Sequence, residues 1–149
     1  MVIVEYEKNM PDEMKAEVSK VLDPMLFLIP GWLQRLRIEW CCDANDEDFQ
    51  GGASMWVSVS YEYRLATLVV TPLLLEDDAK GRQCQVIHEL LHVSTCILAD
   101  YARDEIQRLL PEDDDPKYHG AIMAELTSRH EAMTQDLAAT VQKVLAASN

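Results

Sequence analysis

The chain has 149 residues, 48% hydrophobic and 26% charged, the balance of a globular fold rather than a disordered segment, and enough for one domain, residues 1–149, with a real core. Its 26 acidic residues outweigh 13 basic ones, a formal net charge of −13, which opposes non-specific contact with phosphate backbones and argues against a nucleic-acid partner. No apolar run approaches the roughly 20 residues of a membrane span, and the start Met1-Val2-Ile3-Val4-Glu5-Tyr6-Glu7 lacks the basic head and apolar centre of a secretory signal; no membrane partner and a cytoplasmic location are expected.

Residues 1–8 read as a short strand or a loosely held arm. Asn9 precedes Pro11-Asp12-Glu13, a helix start with proline and acids in the first turn. Met14, Val18, Val21 and Leu22 then recur at helical spacing. Pro24 and Pro30-Gly31 interrupt this region, and Met25-Leu26-Phe27-Leu28-Ile29 between them reads as a buried turn of helix. From Leu33 the period changes. Leu36, Ile38 and Trp40 alternate with Arg35, Arg37 and Glu39, the mark of a half-buried strand.

The polar stretch from Asp43 to Gly52 is expected to be a loop. Val57, Val59, Tyr61 and Tyr63 next alternate with Trp56, Ser58, Ser60 and Glu62. After a turn near Arg64-Leu65, the β-branched run Thr67-Leu68-Val69-Val70-Thr71 makes an antiparallel partner that Pro72 closes. Glu76-Asp77-Asp78 suit a helix N-terminus, and a helix is expected from about Ala79 to Ala102 or beyond. The run Pro111-Glu112-Asp113-Asp114-Asp115-Pro116 is a loop, and such acids serve more often as a solvated connector than as a cation site. A last helix spans roughly Tyr118 to Ala147, with Ile122, Leu126, Met133, Leu137, Val141 and Val144 as its apolar stripe. This order predicts an α+β domain: a small antiparallel sheet of two or three strands, an active-site helix and a long C-terminal helix.

The chemistry concentrates in Val86-Ile87-His88-Glu89-Leu90-Leu91-His92-Val93, which reads H-E-x-x-H. On a helix, positions i and i+4 share a face, so His88 and His92 can offer ring nitrogens to one ion. Glu89 follows the first ligand directly and can lean toward a metal-bound water as general base. The apolar neighbours are expected to bury the rest of the helix and keep the site dry. Four cysteines, Cys41, Cys42, Cys84 and Cys96, match no zinc-ribbon or thioredoxin spacing. Cys84 and Cys96 share the histidine face, but twelve residues separate them by about 18 Å along the axis, too far for one tetrahedral ion. They read instead as small buried apolar residues.

Strands leading into a helix with H-E-L-L-H, followed by a second helix with a candidate glutamate, resemble the zincin metallopeptidases, most of all a minimal gluzincin. The segments Ile29-Pro30-Gly31-Trp32-Leu33, Tyr63-Arg64-Leu65-Ala66 and Ile87-His88-Glu89-Leu90-Leu91-His92 are also similar to small zincin-like proteins of phage and prophage origin. The resemblance implies Zn²⁺ held by His88, His92 and a glutamate from the later helix, with Glu89 as catalytic base. His130-Glu131-Ala132-Met133-Thr134-Gln135-Asp136 resembles the gluzincin stretch in which the ligand glutamate precedes an aspartate that orients the first histidine. That makes Glu131 the expected third ligand, although Asp136 stands five positions on rather than four.

Helix geometry pulls the other way. At 100° per residue, Glu131 lies about 140° from the middle of the expected apolar stripe, Glu125 about 100° and His130 about 40°, so Glu125 and His130 stay open as alternatives. Tyr118, His119 and His130 lie in the right part of the chain to stabilise an oxyanion, and nothing in the spacing selects one. The function expected is a zinc-dependent metallopeptidase acting on a peptide or protein substrate. The alternative is a catalytically inactive zincin-fold protein that acts as a zinc-stabilised binding or regulatory module.

Overall fold

A computed structural model describes residues 2–42 and 53–147; the expected loop from Asp43 to Gly52 lies outside them. The chain divides into two compact units, Met1–Ser94 and Thr95–Asn149. Four strands, β1 (Ile3–Tyr6), β2 (Arg35–Trp40), β3 (Met55–Ser60) and β4 (Leu65–Val70), and the helix α1 (Asp12–Leu22) belong to the first unit. A helix α2 (Ala79–Leu109) begins in the first unit and ends in the second, which also holds α3 (Pro116–Ala147).

The fold is α+β, and its sheet is larger and more mixed than the sequence reading has it. The strand order is β1-β2-β4-β3. β1, β2 and β4 run parallel, and only β3 is antiparallel, paired along β4 at the edge. Period-two alternation marks a strand but carries no information on its direction, and that is why an all-antiparallel sheet was the expectation. The parallel β1–β2 pair needs a long crossover, and α1 lies in it. Of the two readings of the N-terminal segment, Ile3–Tyr6 is therefore a paired strand and not a loose arm.

One sheet face carries the core of this unit. Leu36, Ile38, Ala66, Leu68 and Val70 are fully buried, as are Val18 and Leu22 of α1 and Val86, Ile87, Leu90 and Val93 of α2. Each of the Leu, Ile and Val side chains among them contributes roughly 1.5–3 kcal/mol. Arg35 and Arg37, the alternate residues of β2, are exposed. The β3 alternation ends at Ser60 rather than continuing to Tyr63. Residues 61–64 form the turn, with Arg64 in the left-handed region at φ 51°, and its carbonyl accepts from the Gln34 and Arg35 amides at 2.9 and 3.1 Å. Trp32 meets Tyr61 edge-on at 5.1 Å. The expected buried turn at 25–29 is a 3-10 segment, Asp23–Leu28, that buries Met25 but leaves Phe27 exposed.

Polar side chains fix the ends of these elements. The Glu7 carboxylate accepts from the Trp40 amide at 2.8 Å. Tyr6 Oη pairs with Ser19 Oγ at 2.8 Å, and burial, chiefly, pushes the Tyr6 phenol above its usual range. Thr71, fully buried, donates its hydroxyl toward the Ala53 and Ser54 carbonyls and accepts from Leu73, which closes β4 and starts a 3-10 turn at Pro72–Leu75. Asp78 caps α2 by accepting from the Gly81 amide at 2.7 Å, as its place before the helix predicts. Arg82 of α2 then reaches Glu17 of α1 at 3.0 Å, and Ser94 Oγ donates to the Leu28 carbonyl at 3.2 Å.

The second unit consists of the C-terminal half of α2, a turn at residues 110–115 and α3. Asp115 ends the acidic run as a helix cap, accepting from the Tyr118 amide at 3.0 Å, and Pro116 takes the first helical position. His119 Nδ1 lies 2.7 Å from the Leu110 carbonyl. The expected apolar stripe of α3 is not its buried line. Met133, Leu137 and Val144 are 43%, 40% and 60% exposed, whereas His119, Thr134 and Ala138 are buried. Small residues allow close approach, and a helix that packs through Thr and Ala buries a different face from the one its bulkiest apolar residues mark. Among the described residues, no helix is long and apolar enough to cross a membrane.

Candidate metal centre

The N-terminal half of α2 positions the two histidines. Val86, Ile87, Leu90 and Val93 occupy buried positions around them, which fixes the rotation of the helix about its axis. Leu91, expected in the same apolar set, is half-buried, as are His88 and His92 themselves. Their rings meet edge to face, centroids 4.6 Å apart and planes at 80°, with the two Nε2 atoms 3.0 Å from each other. Glu89, in the same turn, is 8% exposed.

The Nε2 pair passes a geometric test for a shared ion. Two nitrogens held at about 2.0–2.1 Å from one tetrahedral zinc lie about 3.3 Å apart, so the observed spacing needs adjustment by only a few tenths of an ångström. A metal bound there would take a lone pair from each Nε2 and leave each ring proton on Nδ1.

The later helix sorts the remaining candidates by rotation. Taking the buried line midway between Thr134 and Ala138, Glu131 lies about 40° away, His130 about 60° and Glu125 about 160°. The geometric objection to Glu131 therefore falls, because it rested on the wrong apolar stripe. Glu125 is exposed and bound to Arg129 at 2.7 Å. His130 Nε2 is 2.7 Å from Thr95 Oγ1. Glu131 is itself an exposed residue of α3. Asp136 is exposed and lies about 180° from the buried line.

Of the three oxyanion candidates, Tyr118 is exposed and His119 is buried against Leu110. They precede Glu131 by about 20 and 18 Å of helix rise, whereas His130 is its neighbour. Cys96 is buried, and burial first, then the nearby Asp100 charge, pushes its thiol upward. Cys84, expected to be buried as well, is half-buried, and Cys42 is exposed. The feature that sequence reading missed is the Thr95–His130 pair. Its signal was present: Thr95 stands seven residues after His88 and three after His92, on the same helix face. Comparison of the chain with protein-family models, with characterised proteins and with solved structures finds no match.

Proposed function

We propose that this chain is a cytoplasmic zinc-dependent metallopeptidase of the zincin kind, cleaving a peptide or protein substrate, with His88, His92 and Glu131 holding the ion and Glu89 as general base. The observation that carries the reading is the convergence of two Nε2 atoms at 3.0 Å from consecutive turns of a helix otherwise anchored in a core. The third donor, Glu131 of α3, is the glutamate that the resemblance names. A His₂Glu set suits catalysis because it leaves a coordination position open.

When bound, zinc supplies Lewis acidity, polarising a carbonyl oxygen and making water acidic enough to ionise near neutral pH. The chain's own residues do the rest. Glu89 is the carboxylate in the turn that carries both histidines; it accepts the proton of the attacking water and returns it to the leaving amine. Its burial holds that carboxylate in place.

Purified protein is expected to carry about one zinc per chain, measured by elemental analysis, and His88→Ala or His92→Ala to lose it. Glu89→Gln is expected to keep zinc and fold while peptide hydrolysis drops to background. Full zinc retention in both histidine variants would sink the site. Full activity in Glu89→Gln would remove Glu89 from the reaction.

A further inference from the structure

α3 keeps a line of apolar side chains away from its own buried face. Ile122, Leu126, Met133 and Val144, with Thr140 among them, fall within about 20° of one direction, about 120° round the helix from the line of Thr134 and Ala138. Met133, Thr140 and Val144 are exposed, and Ile122 and Leu126 are half-buried. Ile122 and Val144 each stand eleven residues from Met133, and Leu126 and Thr140 each stand seven. The line therefore reads the same in both directions, as a two-fold axis through Met133 requires of a surface that binds its own copy.

Glu125, Arg129, Asp136 and Lys143 form a second line, about 65° beyond the first, and all four are exposed. Their charges alternate and sum to zero, in a chain whose net charge is −13, so this flank lacks the repulsion that the rest of two acidic copies would feel. An axis perpendicular to the helix at Met133 sets the flank against itself in reverse. Arg129 then comes level with Asp136 of the other copy to within about 1.5 Å along the helix, and Glu125 with Lys143 to within about 3 Å. Arg129 is already bound to Glu125 of its own helix at 2.7 Å, so the second acid joins an existing pair. In a parallel arrangement the flank would meet the opposite one, where Met123 and Val141 offer no counter-charge. Apolar spacing and charge order thus select the same antiparallel register.

We propose that this face of α3 is a self-association surface: two copies of the chain pair through it antiparallel, about an axis at Met133. Ile122 then lies against Val144 of the other copy, and Leu126 against Thr140. The seam is about 33 Å long and consists of one helix pair, so association in the micromolar range is expected rather than an obligate dimer. Glu131 lies about 160° round the helix from the seam, which keeps the proposal independent of the metal reading.

Sedimentation equilibrium of the full chain between about 1 and 100 µM is the test. The mass is expected to rise from one chain to two and no further, because a two-fold contact closes on itself. Met133→Asp sets two carboxylates face to face at the axis and is expected to weaken association at least about tenfold. Val144→Glu, at an exposed position, takes its place if circular dichroism shows that Met133→Asp loses helix. Asp136→Arg leaves Arg129 facing a second positive charge and is expected to weaken association about three- to tenfold. Arg129→Asp added to Asp136→Arg exchanges the two signs and is expected to restore the original mass profile. One chain at every concentration would overturn the proposal and leave the face to a partner of another kind. So would a dimer that survives both Met133→Asp and Val144→Glu, a mass beyond two chains, or a double variant no better than Asp136→Arg alone.

Discussion

The two long helices read alike in sequence and behave differently in the fold. In the N-terminal half of α2, the bulky apolar residues Val86, Ile87, Leu90 and Val93 are the buried ones. In α3, bulky Met133, Leu137 and Val144 remain substantially exposed while Thr134 and Ala138 are buried. Dense aliphatic clusters have one favourable destination, since each buried side chain contributes roughly 1.5–3 kcal/mol. A long helix with scattered apolar residues has several faces of similar worth, and close approach through small residues then decides among them. Apolar pattern is thus a reliable guide where it is concentrated and a poor one where it is thin. On the function proposed above, the difference matters at the site, because the expected third ligand is a glutamate of α3.

The largest effect that tests this contrast is on stability. Leu90→Ala is expected to cost about 2–5 kcal/mol through lost burial and a residual cavity, whereas Leu137→Ala should stay within about 0.5 kcal/mol, as exposed substitutions do. Urea unfolding monitored by circular dichroism measures both. Equal costs would mean that Leu137 belongs to a core after all and that the original stripe of α3 is right.

The next effect sharpens the rotation of α3 at the site. Glu131→Gln is expected to weaken zinc affinity by ~10–100-fold or more, since that range is usual for a supporting residue and a direct ligand should reach at least as far. Glu125→Gln, on the opposite face and paired with Arg129, should change it little. Competition with a chelator of known affinity reads both. The reverse ranking would return the site to Glu125 and with it the sequence-based stripe.

The smallest effect concerns the acidic run between the helices. Asp115→Ala removes the cap on the Tyr118 amide and is expected to cost about 1 kcal/mol. Asp113→Ala, in the exposed turn before it, should be close to neutral. A thermal melt that lowers equally for both would point to a shared role for the run, such as a cation site, in place of a single capping residue.

What the sequence by itself determined is local chemistry. The i, i+4 spacing of His88 and His92 forces two imidazoles onto one helix face, and their Nε2 atoms do converge at 3.0 Å. The alternation around Leu36 and Ile38 forces a strand with one buried face, and both residues are fully buried. Acids before a helix cap it, as Asp78 does. In each case the information lies within a few residues, where covalent geometry fixes the outcome. Only tertiary structure decided that β1, β2 and β4 run parallel, because strand direction depends on how the connecting segments pack and leaves no mark in the alternation. It also decided that α3 buries Thr134 and Ala138 rather than Met133 and Leu137. A helix with weakly distinguished faces takes its rotation from its packing, and its own residues do not set it.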